Sequence, residues 1–160
     1  MKIYQTYSSD ETRIFGDKLV SGVMSHASGR KGAVVLALYG DLGSGKTTFA
    51  QGFLRGLGVR QRVNSPTFVI FKRFKIHDSR FKNIYHIDCY RIKKAKELVD
   101  LGIKEILAEP KNIVLIEWPE RLRRILPKEV IKIYFKYGKK ENERIIGLRD
   151  TNMYEYTDKK

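Results

Sequence analysis

The sequence predicts a single α/β domain over residues 1–160, with a largely parallel central sheet and antiparallel additions. Three observations predict it. Two almost unbroken apolar runs, Ala33-Val34-Val35-Leu36-Ala37-Leu38-Tyr39 and Asn112-Ile113-Val114-Leu115-Ile116-Glu117, have the character of strands covered on both faces. The first run enters a glycine loop and then a helical stripe, the order of a strand, turn and helix unit. A length of 160 residues suits one domain that buries its own core.

The elements follow in order along the chain. Ser8 and Glu11 have capping-box spacing, and Phe15, Leu19, Val23 and Ala27 recur every four residues, which predicts a helix over 9–27. Ser28-Gly29-Arg30-Lys31-Gly32 ends it before the first apolar strand, 33–39. After the loop, Phe49, Phe53, Leu54 and Leu57 form the stripe of a second helix that Gly58 can close. Asn64-Ser65-Pro66 reads as a turn, and 67–76 alternates imperfectly, as an irregular or edge strand does. It can form a hairpin with a strand at 83–88. Residues 93–107 place Ala95, Leu98, Val99 and Ile106 at helical intervals, with Gly102 dividing them into two short helices. The strand at 112–117 follows, and 129–137 and 144–148 read as a closing strand pair.

Lys plus Arg number 32 against 18 Asp plus Glu, a formal charge of +14 that should attract polyanions. Cys89 is the one cysteine, which excludes an intrachain disulfide framework and a cysteine-rich zinc site. The N-terminus lacks the pattern of a secretory signal, and no apolar stretch approaches the roughly 18 residues needed to span a bilayer. The expectation is a soluble cytoplasmic protein without membrane association.

The sharpest chemical signal is Gly40-Asp41-Leu42-Gly43-Ser44-Gly45-Lys46-Thr47-Thr48, which fits Gly-x-x-x-x-Gly-Lys-Thr between a strand and a helix. Backbone N–H groups of such a loop wrap phosphates at the positive end of the following helix, and side chains larger than glycine would block that approach. Lys46 can reach the terminal phosphates, Thr47 can place its hydroxyl on magnesium, and Thr48 is a supporting residue. The motif implies ATP or GTP binding and makes the expected fold a compact P-loop NTPase-like domain.

Asp88 and Glu117, each ending a predicted strand, can complete a magnesium site, one directly and the other through water or by positioning a switch region. The sequence leaves those roles open. Ser65 and Thr67 flank Pro66 in a loop whose hydroxyls can contact water, magnesium or the terminal phosphate; a plain proline turn is the competing reading. His26, His77 and His86 show no metal-ligand spacing, and Cys89 without a CxxC partner reads as a small buried residue. Trp118 can cover a nucleotide-adjacent surface or pack under Pro119. Arg60, Arg62, Lys72, Arg73, Lys75, Arg80 and Lys82 form one basic series, and Arg121, Arg123, Arg124 and Lys128 another. Either an RNA phosphate backbone or plain solvent can face them.

Taken together, the glycine loop, Val63-Asn64-Ser65-Pro66-Thr67-Phe68, His86-Ile87-Asp88-Cys89-Tyr90-Arg91, Glu97-Leu98, Leu101-Gly102-Ile103 and Ile116-Glu117-Trp118-Pro119-Glu120-Arg121 resemble the TsaE (YjeE) family, small bacterial P-loop ATPases of tRNA threonylcarbamoyladenosine formation. The resemblance implies ATP and Mg2+ as cofactors, Thr47 and Glu117 as the magnesium-associated pair, and Asp88 as an acid near the nucleotide. It places Ser65 and Thr67 in a switch loop. Thr12, which reads from the residues alone as a first-turn helix position, resembles a nucleotide contact, and the likeness reaches the final hairpin only weakly, near Arg144. Lys46, Asp88, Glu117 and Thr67 are thus the expected catalytic set, and Thr12, Gly40, Asp41, Leu42, Gly43, Ser44, Gly45, Lys46, Thr47, Thr48 and Ser65 the expected nucleotide contacts. The family further implies an ATPase, weak alone, that resets a TsaD-like transferase and its TsaB-like partner. A small nucleotide kinase or other phosphotransferase, and a nonenzymatic RNA-binding module, are the competing functions.

Overall fold

The structure, a computed structural model, describes residues 1–25, 27, 29–61, 63 and 70–149. Its elements are β1 (Lys2–Thr6), α1 (Ser9–Ser25), β2 (Val34–Tyr39), α2 (Lys46–Gly56), β3 (Phe71–Lys75), β4 (Asn83–Asp88), α3 (Ala95–Asp100), α4 (Ile103–Ala108), β5 (Asn112–Glu117), a 3-10 turn (Pro119–Leu122), β6 (Ile131–Tyr137) and β7 (Arg144–Arg149). The strands form one sheet in the order β1-β7-β6-β2-β5-β4-β3. Its centre, β6-β2-β5-β4, is parallel, and antiparallel strands flank it on both sides: β3 beside β4, and β7 then β1 beyond β6.

The apolar runs follow from this arrangement. On β2, Val34, Leu36 and Leu38 face a core shared with α1 and α2, whereas Val35 and Ala37, with Ala33 just before the strand, face a second core with α3 and α4. A strand covered on both sides has no solvent face on which polar residues could alternate. The same holds for β5, which is buried from Asn112 to Glu117. β6 has one exposed flank and alternates accordingly, with Ile131, Ile133 and Phe135 buried.

Local signals set the helix ends. Ser8 Oγ accepts from the Glu11 N–H at 3.1 Å while Glu11 Oε2 accepts from the Tyr7 N–H at 2.8 Å, so the box that opens α1 is closed one residue early. α1 is Ser9–Ser25, and Ala27, the expected last residue, lies in a turn. Gly58 (φ +84°) stops α2 as a left-handed cap, with the Val59 N–H returning to the Leu54 carbonyl at 3.0 Å. Gly102 (φ +84°) separates α3 from α4. β1 was not expected. Its inward residue, Tyr4, packs on Phe15 with ring centroids 4.7 Å apart, while Ile3 is exposed. β3 is Phe71–Lys75, and residues 64–69, with Ser65, Thr67 and the expected start of that strand, lie outside the described residues.

Candidate nucleotide site

The site is built where β2, β4 and β5 end together, at the carboxyl edge of the parallel strands. β2 leads into the glycine loop, and α2 starts at Lys46 with Gly45 before it in the left-handed region (φ +103°). Gly40 (φ +147°) and Gly43 (φ +74°) also hold positive φ, and an added Cβ would meet the Phe135 carbonyl at 2.5 Å from Gly40 and the Tyr137 hydroxyl at 2.8 Å from Gly43. The loop therefore takes a path open to glycine alone at these points. The first-turn N–H groups of α2 have no intrahelical partners, and they face the loop's concavity with the positive end of the helix dipole.

Beside the loop lies a cleft of about 380 Å³. Its floor includes Gly43, Gly45, Lys46, Thr47 and Thr48, with Asp88 and Glu117 opposite. Because Asp88 and Glu117 are register partners of β4 and β5, the two carboxylates stand side by side. The Thr47 hydroxyl lies 2.9 and 3.0 Å from the two oxygens of Glu117, and His86 Nε2 lies 2.8 Å from Oε1. Asp88 Oδ1 accepts the Tyr90 N–H at 2.9 Å, which turns the chain out of β4. A threonine hydroxyl and one or two carboxylates make an all-oxygen set suited to magnesium, which keeps several waters and shares phosphate oxygens.

Lys46 is almost fully buried, and Nζ donates to the carbonyls of Gly40 and Asp41, both at 2.7 Å. Burial pushes its pKa down, opposed by the nearby carboxylates, Glu117 first and then Asp88. The ammonium sits 4.2 Å from the centroid of Trp118, which is held at φ +56° and packs on Tyr90 with ring centroids 5.2 Å apart. Trp118 lines the cleft and also packs, partly buried, against the second core.

The expected contacts divide by position. Leu42, Gly43, Gly45, Lys46, Thr47, Thr48 and Thr12 line the cleft. Thr12 Oγ1 is already engaged with Thr6 Oγ1 at 2.8 Å and the Ser8 carbonyl at 3.1 Å, and its methyl lies nearest to Gly45. Gly40 and Asp41 serve as carbonyl acceptors for Lys46, and Ser44 is fully buried under the loop. Four lining residues were not singled out for this role: Ser8, Ser9, Tyr90 and Asn142. Tyr137 OH donates to the Leu42 carbonyl, and Arg144, which itself lines the cleft, donates to the Gly43 carbonyl at 3.2 Å, so the β6–β7 hairpin braces the loop. No local motif marks those two residues; the hairpin reaches the loop through tertiary folding. The basic series occupy different elements, Lys72, Arg73 and Lys75 on edge strand β3 and Arg121, Arg123, Arg124 and Lys128 in the β5–β6 connection.

Cys89, fully buried in the second core, has its thiol pushed up to about 12 by burial, with Asp88 and Glu120 adding to the effect. At pH 8 only about one thiol in ten thousand would be ionised. Dithionitrobenzoate is therefore expected to label Cys89 slowly in the native protein and to one equivalent in guanidinium; rapid native labelling would contradict this burial.

A family model described as "Threonylcarbamoyl adenosine biosynthesis protein TsaE" matches residues 6–146. The chain is 39% identical over 121 residues to the tRNA threonylcarbamoyladenosine biosynthesis protein TsaE of Bacillus subtilis (strain 168), covering 76% of this chain and 73% of that protein. The protein of the same description from Rickettsia typhi is 34% identical over 120 residues, covering 74% of this chain and 79% of its own. Among solved structures, the crystal structure of Bacillus subtilis YdiB matches with a TM-score of 0.69 at 30% identity, over 94% of this chain and 86% of that one. The mixed sheet with flanking helices is the compact α/β P-loop NTPase-like fold expected from the sequence. No helix among the described residues is long and apolar enough to cross a membrane.

Proposed function

The chain belongs to the TsaE family, and from that premise we propose that it is the magnesium-dependent ATPase accessory to the machinery forming threonylcarbamoyladenosine in tRNA. The observation that carries this reading is the convergence of Lys46, Thr47 and Glu117 in one cleft at the end of the parallel strands. Neither the phosphotransferase nor the RNA-module alternative gains support from the family match.

The residues present fit magnesium and a nucleotide phosphate chain. Bound magnesium–ATP supplies the transferable γ-phosphoryl group and the divalent charge that offsets it. Thr47 and Glu117 would hold the metal, with Asp88 beside them. Gly43, Gly45 and the first turn of α2 present backbone N–H groups to the phosphates. Lys46, which now bonds the Gly40 and Asp41 carbonyls, would give phosphate oxygens its ammonium and gain a counter-charge that its surroundings only partly provide. Trp118 and Tyr90 shield that exchange from bulk water, which strengthens each electrostatic contact. Ser65 and Thr67 complete the reading as switch-loop hydroxyls.

TsaD-like and TsaB-like proteins are the proposed partners, with tRNA contact through the exposed Arg121, Arg123, Arg124 and Lys128. Phosphate release from ATP is expected to require Mg2+ and to rise when both partners are added. Glu117→Gln, which keeps a neutral acceptor but loses the charge, is expected to lower it by roughly 10²-fold. Accumulation of a phosphorylated small molecule without inorganic phosphate would establish the phosphotransferase instead.

A further inference from the structure

We propose that His86 is a positioning residue for Glu117, fixing the orientation in which that carboxylate meets a divalent cation. The inference rests on the magnesium reading of the site and adds a residue to it. His86 is fully buried on β4, two residues before Asp88 and on the same face of the sheet. In the β4–β5 register it stands opposite Leu115, one diagonal step from Glu117, a span that an imidazole and a glutamate can close together. They close it at 2.8 Å, Nε2 to Oε1.

Glu117 is itself almost fully buried, so its carboxylate depends on donors from the protein. Among the described residues, Thr47 and His86 are the side chains that hydrogen-bond to it. Thr47 lies almost equally far from both oxygens and so does not select between them. His86 does select. It engages Oε1 alone and restricts rotation of the carboxylate, which leaves Oε2 as the oxygen whose protein contact is Thr47. A carboxylate oxygen accepts, so the ring nitrogen facing Oε1 is the donor of this bond.

The rest of the ring argues against a packing role. Nδ1 is buried and has no hydrogen-bond partner among the described residues, an unfavourable feature that folded proteins rarely keep without reason. Its neighbours on this sheet face, Ile84, Ile113 and Leu115, are fully buried aliphatics, and an aliphatic residue at 86 would avoid the orphaned nitrogen. Such a residue would not supply the donor to Oε1. Carboxylates that bind metal are commonly oriented by hydrogen bonds of this kind, whose loss costs about 10–100-fold in metal affinity or activity.

The test uses the full chain and measures ADP binding by calorimetry, in EDTA and across a Mg2+ titration, for the parent, His86→Met, His86→Leu and His86→Gln. The donor-free Met and Leu variants are expected to raise the half-saturating Mg2+ concentration by about 10–100-fold while leaving ADP affinity in EDTA within about twofold. Gln, whose amide can donate to Oε1, is expected to recover most of the loss. Glu117→Gln runs beside them. If Glu117→Gln shifts the Mg2+ requirement but folded His86→Met or His86→Leu does not, the positioning role is overturned and the metal reading stands. If Glu117→Gln has no effect, the magnesium reading itself falls. Loss of metal-free ADP affinity in step with Mg2+ affinity, without rescue by Gln, would make His86 a structural residue and overturn the proposal.

Discussion

Lys46→Ala is expected to lower partner-stimulated phosphate release by roughly 10²–10³-fold, the scale of removing one oriented donor from developing charge. The thermal midpoint should move by only a few degrees. The two expectations separate because Lys46 contributes differently to folding and to chemistry. Its amine bonds two carbonyls of its own loop and lies over Trp118, contacts that are local and give little net stability once the cost of burying an ammonium is counted. Burial already pushes its pKa down, which shows that the folded protein holds this charge at some expense. Facing phosphates, the same ammonium meets two or more negative charges at close range in a half-enclosed cleft, where its contribution is largest. Lys46→Arg should not rescue, because the planar fork cannot enter between the Gly40 and Asp41 carbonyls and the Trp118 ring as a compact ammonium does. Release retained within about threefold in a purified Lys46→Ala protein would remove this cleft as the seat of hydrolysis.

What the sequence made legible about this site was what is local. Strand β2, the loop and α2 are contiguous, and the glycines at 40, 43 and 45 are demanded by backbone geometry that shows in the residue types themselves. Glu117 and Asp88 were legible because each closes a strand, and parallel strand ends face a ligand crevice. His86 was set aside because histidines were sought at metal-ligand spacing, whereas this one hydrogen-bonds a carboxylate on the neighbouring strand. The support that Tyr137 and Arg144 give to the loop crosses about a hundred residues of sequence and has no periodic signature. β1 escaped for a related reason: an edge strand with one half-exposed face gains its order from pairing with β7, at the far end of the chain.

Gly52→Ala should be the most damaging small change to the fold, lowering stability by about 2–4 kcal/mol and the thermal midpoint by roughly 5–15 °C in a denaturation scan. An alanine in a helix interior normally gains about 1 kcal/mol over glycine, so the sign depends on what its methyl meets. At Gly52 that methyl would lie 1.9 Å from the Arg13 carbonyl oxygen and 2.7 Å from the Arg13 Cα, both backbone atoms of α1 that no rotamer change can move. Gly16 on α1 makes the reciprocal notch, its own added Cβ falling 2.4 Å from the Phe49 carbonyl. The helices would have to part by more than about 1 Å, opening gaps among Leu19, Val23, Phe49 and Phe53 and forfeiting much of their dispersion contact. The steric term therefore outweighs the propensity gain. Gly58→Ala is the matching control: nothing lies within 4 Å of its added Cβ, and the cost is the strain of φ +84° alone, about 1–2 kcal/mol. Because α1 carries Thr12 to the cleft and α2 begins with Lys46 and Thr47, whatever Gly52→Ala protein remains folded should also bind ADP more weakly than the Gly58→Ala protein. If Gly52→Ala proved as stable as the parent, the close crossing of α1 over α2 would be wrong, and with it the rigid support assigned to the nucleotide loop.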